Sequence, residues 1–223
     1  MIKKIISLIH LKEVEFHLSG IQCEEIYKIK DVNYSINSLI IYWENINSTL
    51  ILSYLRQLFP NLRKINLIIS KTENIICDYE SIDKLIDLKI DIKSNMNNLE
   101  NAFPFFIFQK KVIFQSLIHF SFKYKYKNRD IEFNLLEILV DNVMSIPNLK
   151  SFELYCLCKD INKKEYENKI IKKLLSKKLD ILILNIKKNK NEFEIYNKNE
   201  IKEIFKDIIF MDYRKLIINK LPN

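Results

Sequence analysis

The chain has 223 residues, 48% of them hydrophobic and 29% charged, with a formal net charge of +8. That length and balance fit one folded domain with a sizeable core and exclude a disordered chain. A single glycine and four prolines, against usual frequencies of about 7% and 5%, exclude phosphate-cradling glycine loops and disfavour hairpin-rich barrels and sandwiches, whose tight turns need positive φ.

From the N-terminus, Met1–His10 carries lysines and a short apolar stretch with no small-residue cleavage site, so no secretory signal is expected. A six-residue frame then recurs, apolar at its first, fourth and sixth places. It first falls on Leu11, Val14 and Phe16. Gly20–Asn33 is a weakly marked connection, and the second frame is Ile36, Leu39 and Ile41. Ser48 and Thr49 are candidate caps for a helix carrying Leu52, Leu55 and Phe59 and ending at Pro60. Frame three is Leu62, Ile65 and Leu67. Tyr79–Ile86 is less clean, and frame four is Leu85, Leu88 and Ile90.

Asn98–Gln115 precedes frame five, Leu117, Phe120 and Phe122. Asn134 is the expected cap of a helix through Leu135, Ile138, Leu139 and Val143 that stops at Pro147. After frame six, Leu149, Phe152 and Leu154, the stretch Lys163–Lys178 sets Tyr166, Ile170, Ile171, Leu174 and Leu175 on one helical face. Frame seven is Leu179, Leu182 and Leu184. Asn199–Phe210 repeats the helical spacing, and Tyr213, Leu216 and Ile218 close the series. The eight frames recur at a mean step of about 29 residues, at the top of the roughly 20–29 of leucine-rich repeats.

Two junctions match closely: Phe59-Pro60-Asn61-Leu62-Arg63-Lys64-Ile65 and Ile146-Pro147-Asn148-Leu149-Lys150-Ser151-Phe152. A helix-ending proline followed by Asn-Leu-basic and a strand resembles the repeat junction of leucine-rich-repeat proteins with helical convex sides, the ribonuclease-inhibitor-like and F-box-associated kinds. The resemblance implies an α/β horseshoe solenoid of about eight strand-helix units, residues 1–223 as one domain, with a parallel concave sheet that binds proteins. It departs from that family after the strands, where the ladder Asn or Cys is mostly missing; Asn45 and Cys158 are the nearest candidates. A doubly wound α/β domain is the alternative, but its strands are buried on both faces. Leu11-Lys12-Glu13-Val14-Glu15-Phe16-His17 alternates instead.

In this register the third, fifth and seventh places point out of the sheet. Ile40, Tyr42 and Ile68 form one expected partner-binding patch, and Tyr155, Ile181, Ile183 and Ile217 another. A one-residue slip, or a covering segment, would hide both. Asp91, His119 and Ser121 share this outward set and invite a hydrolase reading. An open sheet offers no oxyanion hole, so a solvated polar face is the simpler account. No catalytic group, cofactor, metal or small-molecule substrate is expected.

The cysteines, Cys23, Cys77, Cys156 and Cys158, have no framework spacing and read as reduced, mostly buried thiols. No apolar run reaches membrane-spanning length, because Lys110 and Lys111 interrupt Ala102–Phe120; an intracellular protein, cytoplasmic or nuclear, is the expectation. Lysine is concentrated: between Lys159 and Lys190 eleven lysines face four acids, although the Ile, Lys and Asn excess also suits an A+T-rich genome. Lys163, Lys164, Lys172, Lys173, Lys177 and Lys178 on the outer helix, with Lys123, Lys125, Lys127 and Arg129, are candidate contacts for RNA, a ribonucleoprotein or an acidic partner. The first functional expectation is therefore an adaptor or structural subunit that binds protein through the concave sheet. The second is an RNA-contacting or ribosome-associated subunit, and a third, from the F-box-associated resemblance alone, is a ubiquitin-ligase substrate receptor.

Overall fold

A computed structural model describes residues 10–18, 26–44, 51–71, 84–93, 115–124, 133–157, 166–177, 179–187, 209–212 and 215–219. The chain packs as two compact units, Met1–Leu117 and Ile118–Asn223. Both are α/β.

The first unit holds β1 (Glu13–Leu18), β2 (Ser38–Glu44), β3 (Lys64–Lys71) and β4 (Asp87–Ile92), parallel and paired in chain order, with helix α1 (Ile51–Leu58) between β2 and β3. The pairing aligns the frames: Val14 lies beside Leu39, Leu39 beside Ile65 and Ile65 beside Leu88, and two residues on Phe16, Ile41, Leu67 and Ile90 do the same. All eight are buried. Phe59, just after α1, stacks on Phe16 at 6.2 Å between ring centres, which places the helix on the frame side of the sheet.

The second unit repeats the arrangement with β5 (His119–Tyr124), helix α2 (Phe133–Ser145), β6 (Ser151–Leu157), a wide π-helical turn (Tyr166–Ile171) running into α3 (Lys172–Ser176), and β7 (Ile181–Lys187). Phe120, Phe152 and Leu182 align, as do Phe122, Leu154 and Leu184. Again all are buried. α2 buries Leu135, Leu136, Leu139, Val140 and Val143, whereas Ile138, expected inward, is 41% exposed. One position makes the difference, since the apolar stripe runs through Leu136 and Val140.

A second periodicity lies in the backbone, where the carbonyl at the second place of one frame accepts the N–H groups at the second and third places of the next. Lys12 accepts from Asn37 and Ser38, Asn37 from Arg63 and Lys64, and Arg63 from Ile86 and Asp87, all at 2.8–3.2 Å. In the second unit Ile118 accepts from Lys150 and Ser151, and Lys150 from Asp180 and Ile181, over the same range. Polar side chains add links at this edge. The Ser35 hydroxyl donates to the Leu11 carbonyl at 2.7 Å, and the Asn61 amide donates to the Tyr34 carbonyl at 2.8 Å. Asn61 thus acts at the helix-to-strand junction, ahead of the strand rather than after it; Asn45 and Cys158 lie outside the described residues.

The eighth frame is a correction. Leu216 and Ile218 fall in β9 (Lys215–Asn219), which runs antiparallel to β7, and β8 (Ile209–Asp212) pairs antiparallel with β9. Connection length sets the β8–β9 pairing, since two residues separate the strands and a parallel crossover needs a dozen or more. β8 also takes Ile209 and Phe210 from the end of the expected helix Asn199–Phe210, the rest of which lies outside the described residues. So do the Ser48–Thr49 cap, most of Tyr79–Ile86 and all but the last residue of Asn98–Gln115.

Candidate binding surface

The strands' outward residues stand away from the frame side, and their exposure separates face from core. Glu13, Glu15, His17, Lys64 and Lys89 are exposed, and Ser38, Ile40, Tyr42, Asn66, Asp87 and Asp91 are half-buried. Ile68 departs from the expected patch at 8% exposure. Tyr42 and Asp91 stand in register on either side of it, and flanking side chains at strand spacing shade a central position. On this face His17 stacks flat on Tyr42, with ring centres 4.3 Å apart and planes 3° from parallel. A Glu15 carboxylate oxygen lies 2.7 Å from His17 Nε2, and the Ser38 hydroxyl donates to Glu13 at 2.6 Å. The cross-strand stack on His17, itself bonded to Glu15 of the same strand, holds Tyr42 in place among charged neighbours.

In the second unit Tyr155 and Ile183 are half-buried and Ile181 is 37% exposed. Lys123 sits over the Tyr155 ring, 4.9 Å from its centre. Burial, and secondarily the Glu153 charge, push the Tyr155 phenol above its ordinary 10.0. Ile217 pairs with Ile183 through the backbone; its side chain lies outside the described set. Ser121, expected outward and once a nucleophile candidate, is 4% exposed, and its hydroxyl donates to Glu153 at 3.2 Å. A hydroxyl this shielded presents little surface to a substrate.

Among the described residues, the candidate basic side chains do not form one surface. Lys123 is on the open sheet face, whereas Lys172, Lys173 and Lys177 belong to the segment of α3. There a stripe at four-residue spacing is matched by α2. Lys169 bonds Glu137 at 3.1 Å, Lys173 bonds Asp141, and Lys177 donates to the carbonyls of Met144 at 3.0 Å and Ile146 at 2.5 Å. Lysine with an acid 32 positions earlier, two times over, is a signal that the sequence carried and that lysine counting overlooked. Lys125, Lys127, Arg129, Lys163 and Lys164 lie outside the described residues, as does Lys178.

Cys156 is a buried thiol in β6; Cys23, Cys77 and Cys158 lie outside the described residues. Among the described residues no group of three His, Cys, Asp or Glu side chains is placed to hold a metal ion, and no helix is long and apolar enough to cross a membrane. Comparison with protein families, curated proteins and solved structures found no match.

Proposed function

We propose that this chain is a noncatalytic interaction module, an adaptor or structural subunit of a larger assembly, that holds a protein partner on the open faces of its sheets. The observation that carries the reading is the one-sided burial of strands stacked in chain order. Each unit leaves an aromatic and aliphatic cluster half-exposed among charged side chains: Ile40 and Tyr42 in the first, Tyr155, Ile181 and Ile183 in the second. Such mixed surfaces are typical of recognition sites. The aligned frames and the recurring carbonyl acceptor also support a divergent leucine-rich-repeat-like solenoid, in which each repeat adds one strand to its neighbour.

Affinity purification from the native source, comparing the wild-type chain with Tyr42→Ala and with the double variant Tyr155→Ala/Ile183→Ala, tests this. Loss of a dominant protein partner by a folded variant is the expected result; undiminished recovery by both variants contradicts it. The RNA-contacting alternative ranks second, because Lys173 and Lys177 already bond α2. Filter binding to generic RNA across a salt series separates it, since phosphate contacts give a steep negative salt slope.

A further inference from the structure

On a chain of net charge +8, the open face of the first unit carries the opposite balance. Among the described residues of its strands, four outward carboxylates, Glu13 and Glu15 on β1 and Asp87 and Asp91 on β4, outnumber two outward lysines, Lys64 and Lys89. They occupy the two outer strands of the unit, with Ile40 and Tyr42 between them on β2. Glu13 and Glu15 have partners within the face. Asp87 and Asp91 are half-buried, and each keeps one oxygen covered with no hydrogen-bond partner among the described residues, so neither carboxylate is fully satisfied within the face.

We propose that this face binds an extended cationic peptide segment of the pattern cation–x–apolar–x–cation, laid across the strands. This rests on the open-face reading above and specifies its partner. Three strand spacings separate β1 from β4, about 14 Å at about 4.8 Å each. An extended chain covers that span in about four residues at about 3.4 Å apiece, and its residues i, i+2 and i+4 point the same way. The two cations then meet Glu15 and Asp91 at the margins while the middle side chain lies on Tyr42 and Ile40. A Lys or Arg stem can also run along apolar surface with its head at a carboxylate. Because the chain as a whole repels cations, selection of a cationic segment marks this face and not the average surface.

The test is selection of a displayed random peptide library on the immobilised full-length chain, with titration of the enriched peptides against wild type, Glu15→Gln/Asp91→Asn and Tyr42→Ala. The expected peptides carry excess Lys or Arg around an apolar residue and bind the carboxylate variant at least tenfold more weakly. Neutral or acidic peptides, cationic peptides indifferent to the carboxylate variant, or no enrichment overturn the proposal. Neutral peptides that depend on Tyr42 leave the open-face reading standing while ending this one. Peptides indifferent to every substitution on this face remove it as the binding surface too. Circular dichroism of each variant separates lost binding from lost folding.

Discussion

The carbonyls of Met144 and Ile146 lie at and just beyond the C-terminal end of α2, where a helix has no further N–H groups to offer, and Lys177 supplies donors to both. Burial lowers the Lys177 pKa from its ordinary 10.5. The folded chain therefore releases this proton before the unfolded chain does. Between the lowered value and 10.5 the unfolded state binds more protons, so this residue makes stability rise with pH in that window; below it the cost of burying the charge is fully present. Tyr155 acts with the opposite sign, because its raised pKa favours the folded state's proton only as pH climbs past 10.0. Denaturation of wild type and Lys177→Met from pH 7 to 10.5 cancels the tyrosine, which both proteins share. The wild type should gain stability relative to the variant as pH rises, and a pH-independent difference contradicts the assignment. At the repeat edge, Asn61→Ala removes a cross-repeat hydrogen bond and should cost about 0.5–1.5 kcal/mol by urea unfolding.

At the scale of elements, the frame side chains are the core. Leu39 is fully buried on a central strand between Val14 and Ile65, so Leu39→Ala should lose about 2–5 kcal/mol through lost burial and a residual cavity. Ile40→Ala, one position on and half-exposed, should lose much less, and equal losses would mean the register is wrong. The alternation made this side of every parallel strand legible in the sequence, and the two Pro-Asn junctions marked where helices stop: α1 ends at Leu58 and α2 at Ser145. Direction was not legible in the last frame, because a period of two reads the same forwards and backwards; Leu216 and Ile218 fit the pattern while running antiparallel. Burial of Ile68 and Ser121 was hidden for a related reason. Alternation assigns a face, but the depth of a position on it depends on neighbours contributed by other strands. The β8–β9 hairpin lies along β7, whose backbone would otherwise present an open edge. Unpaired edges template association, so truncation after Lys187 should produce concentration-dependent self-association in analytical ultracentrifugation. A monodisperse truncated chain would show that β9 has no such covering role.

Across the whole molecule, the same two regularities recur in both units: frames aligned strand to strand, and a carbonyl at the second place of each frame bridging to the next. The basic surplus is uneven in its use. Lys169, Lys173 and Lys177 stitch neighbouring helices, while the first unit's open face is acidic on balance, so net charge alone is a poor guide to the partner. What makes any of these faces available is the serial stacking of strands, and methyl nuclear Overhauser contacts in an Ile-, Leu- and Val-labelled sample read that stacking most directly. Val14 should contact Leu39, Leu39 should contact Ile65, and Ile65 should contact Leu88, with Phe120, Phe152 and Leu182 linked likewise when aromatic labels are added. Contacts from Val14 to Ile65 or Leu88 that bypass Leu39 would contradict the chain-order sheet and the open face built on it.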